Sequence, residues 1–222
     1  MLFSAKKAYA MDKDSYSRTH PVKNTIINSF DSIYNLDAIT FFKSASIVKY
    51  VYTLIGPELF LKGLKHVFGL YSGKSINSRQ ILDIFNNLAK ERDMTQNPSI
   101  LIEKMISNIG INDLQIMIEY NDLHKDKTIK SISIKQVLKD SNSSYYNFKA
   151  KLLLIDENNV KRVINIDIKD EEYTNIKELE GFKQPKFILL NKDDICYFKQ
   201  IFSNEDINYI CTMSNDVKFF IY

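Results

Sequence analysis

Apolar residues in the first half of the chain return at helical spacing. From Ser46, the positions Ile47, Val48, Val51, Tyr52 and Ile55 recur one turn apart, which predicts one face of a helix. Gly56 ends that helix, and Pro57 opens the next at the position proline tolerates best. The second helix, PELFLKGLKHVFGLY, carries Leu59, Phe60, Leu64, Val67 and Phe68 on one side. Ser78 is the expected cap of a third, RQILDIFNNLAKERD. Asn97-Pro98 opens a fourth, SILIEKMISNIG, which Gly110 ends.

After Gly110 the period changes. LQIMIEY, TIKSISIKQVL, NFKAKLLLI, VKRVINIDI and KFILLN alternate or run apolar over strand lengths. DENN, between Ile155 and Val160, and NKDD, after Leu190, are rich in residues that tolerate the left-handed region, so both read as turns. ICYFKQIF follows as a further strand, and a helical pattern restarts at NEDINYICTM. The pattern predicts an α+β chain, a helical block followed by a small β-sandwich. The apolar ending VKFFIY has no polar finish and reads as a truncated edge.

Composition excludes more than it selects. The 222 residues are 45% hydrophobic, enough for a sizeable core, and 26% charged. Lysine and arginine exceed aspartate and glutamate by 30 to 27, and the basic residues are spread out, so no nucleic-acid partner is expected. No stretch reaches the roughly 18 apolar residues of a membrane span. The start MLFSAKKAYA has no long apolar region, so no signal peptide is expected. Cys196 and Cys211 lack CxxC spacing and fit two free thiols in a reducing, cytoplasmic compartment.

Catalytic chemistry is sparse. His20, His66 and His124 are far apart in sequence, and no His-Glu-x-x-His pair puts two imidazoles on one helical face. His66 lies among core-facing residues of the second helix, His124 in a polar link, and His20 before Pro21 in an extended segment. The acidic pairs Asp193-Asp194 and Glu171-Glu172 fall in turns, where solvated carboxylates are the rule. There is no glycine-rich phosphate loop and no Gly-x-Ser-x-Gly elbow.

Four stretches in order carry a resemblance: KKAYAMDKDSYSRTHPV, LDAITFFKSASIVKYVYTLIGPELFLKGLKHVF, GINDLQI and ELEGFKQPKFILLNKDDICYFKQIF. The series resembles the aminopeptidase N family of zinc metallopeptidases, the gluzincins, from about Lys6 to about Phe202. The resemblance implies that residues 1–112 are the helical C-terminal part of a thermolysin-like catalytic domain. Residues 113–203 would be a β-sandwich, and 204–222 the start of a truncated helical domain. It implies a zinc cofactor in the intact enzyme. The ligands would lie on an upstream half that no residue here matches, so no metal or cofactor is expected in this chain.

One catalytic element of the family is expected to fall inside the chain. A tyrosine in a Tyr-x-Lys-Gly-Ala motif there donates a hydrogen bond to the tetrahedral oxyanion, a contact whose loss typically costs roughly 10²–10³ in rate. With Lys43, Ala45 and Ser46 in register, Phe41 takes the tyrosine position and Ser44 the glycine. No catalytic residue is therefore expected. The resemblance implies a fragment or split portion of an aminopeptidase, inactive alone, with the upstream zinc-binding half as partner and peptides as substrates only when that half is present. It further implies a large exposed apolar face on the helical block. The alternatives are a non-catalytic scaffold related to the enzymes, or a helical block with a β-sandwich binding module.

Overall fold

The computed structural model describes residues 2–16, 18–91, 98–121, 127–139 and 144–213. It opens with α1 (Leu2–Lys13), which the apolar period did not announce. Lys7, Ala10 and Met11 lie one turn apart on its buried side. A short helix α2 (Ser29–Tyr34) follows, then a π-helical turn, Ile39–Lys43, that runs directly into α3 (Ser44–Ile55). The block is completed by α4 (Pro57–Tyr71), α5 (Ser78–Lys90) and α6 (Pro98–Ser107).

Within α3 the inward stripe is Ser46, Ile47, Tyr50, Val51 and Ile55, while Val48 and Tyr52, expected on the same face, are exposed. The core thus touches a narrower arc than the apolar spacing allowed. Gly56 joins α3 to α4 at φ 85°, a conformation that an L side chain rarely adopts. The cap of α5 is Asn77 and not Ser78. Asn77 Oδ1 accepts from the Gln80 amide and Gln80 Oε1 accepts from the Asn77 amide, both at 2.9 Å. In α4, Leu59 is buried but Phe68 is exposed, so its outer end lies beyond the cover of the other helices. The Asn97 cap expected for α6 lies outside the described residues, as does the VKFFIY tail.

From Asp113 onward the chain is mostly strands. β1 (Asp113–Asn121) and β2 (Thr128–Val137) pair antiparallel. β3 (Phe148–Ile155) and β4 (Lys161–Ile168) form a second antiparallel pair around the Asp156–Val160 turn, where Asn159 takes φ 61°. Short β5 (Tyr173–Asn175) joins β2, β6 (Phe187–Leu189) joins β3, and β7 (Lys199–Ile201) lies parallel to β1. The sheets are ordered β5-β2-β1-β7 and β4-β3-β6. A bulge opposite Glu119 and Tyr120 resets the face of β2, so Ile129 and Ile132 both point inward despite their spacing. ICYFKQIF forms a strand only over its last part; Cys196, Tyr197 and Phe198 are buried without strand pairing.

Leu114, Ile129, Ile132 and Ile134 of one sheet share a core with Phe148, Ala150, Leu152, Leu154, Ile166 and Ile168 of the other. That core runs on into the helical block through Tyr50, whose ring meets Phe148 edge-on at 6.4 Å. The second half of β3, Leu152 to Ile155, is buried on both faces. Its Leu153 and Ile155, with Phe187 and Leu189, are covered by α7 (Asn204–Thr212) through Tyr209, Ile210 and neighbouring Met213. Each such side chain contributes roughly 1.5–3 kcal/mol when fully buried, which fixes the returning helix against the sheet. Among the described residues no helix is long and apolar enough to cross a membrane.

Candidate functional site

Three of the residues singled out by sequence, His20, Phe41 and Ser44, lie at the π-turn before α3. Its first residue, Ile39, is buried, and its last, Lys43, is buried as an ion pair. Between them Phe41 turns outward and is 53% exposed. An extra residue inserted into a helical turn re-aims the side chains it carries, a device that recurs at functional sites. Here Ile39 and Lys43, four positions apart, face inward while Phe41, between them, faces out.

The inward support is electrostatic. Lys43 Nζ donates to Asp14 Oδ2 at 2.8 Å and to the carbonyls of Gly110 at 3.0 Å and Asn108 at 3.3 Å. It also lies 5.5 Å from the centre of the Tyr197 ring. Burial pushes the Lys43 ammonium below its ordinary value, although Asp14 pulls the other way. The second oxygen of Asp14 accepts from the Gly110 amide at 3.0 Å and from the Thr19 hydroxyl. One lysine thus joins the end of α1, the π-turn and the loop after α6. Ser46 Oγ donates to the Phe42 carbonyl at 2.8 Å and closes the turn from the α3 side.

The outward side is held by Asp37. Its Oδ1 accepts from the Thr40 amide at 2.9 Å, capping the turn, and its Oδ2 lies 2.7 Å from His20 Nε2. His20 is therefore tied to the π-turn, not merely placed in an extended segment. Between His20 and Asp37 the chain makes an excursion with exposed apolar side chains: Ile26, Ile27, Phe30, Ile33, Tyr34 and Leu36. No residue of α2 is buried. Val48 and Tyr52 of α3 are exposed as well.

The other candidates are dispersed. His66 is exposed on α4, and His124 lies outside the described residues. Asp194 is a correction: it is buried against Lys7 and is not a solvated turn carboxylate. Its neighbour Asp193 pairs with Lys151 at 2.7 Å and Lys192 at 2.9 Å. Among the described residues no group of three or more His, Cys, Asp or Glu side chains could hold a metal ion. The donor set at the π-turn, an imidazole already paired with one carboxylate and a lysine filling the other, does not fit a zinc site. The pairs His20–Asp37, Lys43–Asp14 and Lys7–Asp194 join residues that no local pattern relates.

The chain is similar to known peptidases. Residues 1–109 match the peptidase family M1 domain. The chain is 26% identical over 204 residues to aminopeptidase N of Streptomyces lividans, covering 87% of this chain and 23% of that protein. Its fold matches the crystal structure of Legionella pneumophila aminopeptidase A in complex with aspartic acid, with a TM-score of 0.60 at 17% identity. That match covers 82% of this chain and 20% of the other. Together these matches support assignment to the M1 aminopeptidase family, through the family model over residues 1–109 and through aminopeptidase N over most of the chain. The chain spans about a quarter of the length of the curated relative and a fifth of the solved one.

Proposed function

We propose that this chain is the helical and β-sandwich portion of a zinc-dependent aminopeptidase that removes N-terminal residues from peptides, and that alone it neither holds zinc nor cleaves peptides. The zinc ligands and catalytic glutamate belong to a separate zinc-binding half of the M1 domain, which is its partner. Two free thiols, one buried and one exposed, fit a reducing cytoplasm.

The observation that carries this reading is the run of exposed apolar side chains between residues 26 and 36. Ile27 is 85% exposed, Tyr34 83% and Phe30 73%, all within the segment that matches the M1 domain. Contiguous exposed apolar surface of this kind marks an interaction site. A zinc-binding half seated there would face Phe41.

A second reading, a non-catalytic scaffold, is favoured by Phe41 and Ser44, which stand where the resemblance places tyrosine and glycine. Phe41 keeps an aromatic ring but has no hydroxyl to donate to an oxyanion. The two readings part on reconstitution. The purified chain is assayed for zinc content and for hydrolysis of aminoacyl fluorogenic amides, alone and mixed with the zinc-binding half of an M1 aminopeptidase. The enzyme reading expects neither zinc nor turnover from the chain alone, and turnover above that of the zinc-binding half in the mixture. Stoichiometric zinc in the chain alone overturns the assignment. Complex formation without added turnover, unrescued by Phe41→Tyr, selects the scaffold.

A further inference from the structure

His20 stands between two acceptors. Its Nδ1 lies 3.0 Å from the Pro21 carbonyl oxygen and its Nε2 lies 2.7 Å from Asp37 Oδ2. A carbonyl and a carboxylate offer no hydrogen, so both ring nitrogens must donate. Only the imidazolium carries two N–H groups; a neutral ring satisfies one contact and sets two lone pairs against each other at the second.

We propose that His20 is a protonation-dependent clamp that closes the base of the 21–36 excursion and couples it to the π-turn presenting residue 41. The coupling runs through Asp37, whose two oxygens are divided between His20 and the Thr40 amide. The excursion has few other fastenings. Asn24 Nδ2 donates to Asn35 Oδ1 at 2.8 Å, and the Lys23 amide donates to the Ile106 carbonyl at 2.8 Å. Lys23 also pairs with Glu103 at 2.5 Å, with both side chains exposed. Nothing in α2 is buried, so its position depends on these ties and on the clamp. This device stands whether or not the chain contributes to peptidase activity.

The charges that face His20 favour the closed form. Asp37 lies across it, and Asp14 stands behind, itself paired with Lys43. Partial burial works against the His20 charge, but the Pro21 hydrogen bond and the bond and charge of Asp37 outweigh it, holding the imidazole above its ordinary value. Partial burial likewise opposes the Asp37 charge, yet the bonds from Thr40 and His20 hold that carboxyl below its ordinary value. The sign follows. The clamp is fully formed below the unfolded-chain histidine value, about 6.5, and is lost as pH rises through the raised folded value.

The test is hydrogen exchange of the intact chain at about pH 5.5 and about pH 8.5, corrected for the intrinsic pH dependence of exchange. Protection of amides between Ile27 and Thr40 is expected to fall at the higher pH, by up to about tenfold for each unit separating the folded from the unfolded value. His20→Gln is expected to abolish this step while leaving exchange in β3 unchanged. Equal protection at both pH values in the wild type, or a step that survives in H20Q, overturns the clamp. Imidazole nitrogen NMR on the wild-type chain gives a reading that does not depend on the variant folding. Both His20 nitrogens are expected to carry protons at about pH 5.5, and a neutral ring there overturns the proposal.

Discussion

The ammonium of Lys7 lies 2.6 Å from the Asp194 carboxylate, although 187 positions separate them and both side chains are buried. Lys7 also donates to the Cys196 carbonyl at 2.6 Å, and Lys49 donates to the Asp194 carbonyl at 3.0 Å. Burial pushes the Lys7 ammonium below its ordinary value against the pull of Asp194. Asp194 itself takes φ 51°, in the left-handed region. Two lysines from α1 and α3 thus fasten the helical block to one turn of the sandwich. Removing one partner strands the other charge in a dry site. Lys7→Met is therefore expected to lose about 3–5 kcal/mol of stability in urea unfolding. Lys7→Met with Asp194→Asn should recover most of that loss, since no charge is then stranded and asparagine tolerates φ 51°. A single variant within about 0.5 kcal/mol of wild type would show that the pair does not weld the two parts.

These buried pairs mark where the sequence stopped being readable. The helices from α3 to α6 and the long strands follow from apolar period, and the Gly56-Pro57 junction from backbone chemistry. Helix α1 escaped because its inward stripe contains Lys7, which the apolar pattern scores as a break. Asp194 read as solvated because turn carboxylates usually are, and its partner sits at the other end of the chain. At the candidate site, Phe41 was legible from motif resemblance and its exposure was not. The π-turn adds no residue type of its own, so nothing local announces it. His20 and Asp37 meet only because the excursion between them folds back.

Close packing between α4 and α5 gives a second prediction. A Cβ built on Gly63 would lie 2.4 Å from Phe85 Cε1, inside any tolerable contact. Phe85 is buried and stacks on Phe60 at 5.4 Å, so it has little room to retreat. Gly63→Ala gains helix propensity of about 1 kcal/mol, but overpacking of this kind typically costs about 1–3 kcal/mol. The net change is expected to be destabilising, and Phe85→Leu in the same chain should relieve it. A thermal melt showing G63A more stable than wild type would remove the packing argument.

The two cysteines should separate by reactivity. Cys196 is fully buried, its Sγ donates to the Lys149 carbonyl at 3.4 Å, and burial pushes its thiol up to about 12. Thiolate is the reacting species, so this sulfur is both shielded and protonated at working pH. Cys211 is exposed on α7. Native labelling with a disulfide reagent at about pH 8 is expected to modify one thiol, and Cys211→Ser to abolish it, with both thiols reacting in denaturant. Comparable native rates at the two sulfurs would contradict the burial of Cys196.

Phe41 and Lys43 lie two positions apart and should answer substitution in opposite ways. Phe41→Tyr adds a hydroxyl to a ring that is 53% exposed, where solvent can hydrate it. Its effect on stability is expected within about 0.5 kcal/mol. Lys43→Met strands Asp14 beside the Gly110 amide and is expected to lose about 3–5 kcal/mol. The contrast has a functional consequence. A hydroxyl at position 41 costs the fold little, so folding alone does not require phenylalanine there. If the zinc-binding half supplies turnover with this chain, Phe41→Tyr should raise it by roughly 10²–10³, the range associated with one oxyanion donor. Turnover unchanged by F41Y in an active mixture would mean that the ring at position 41 does not face the reacting carbonyl.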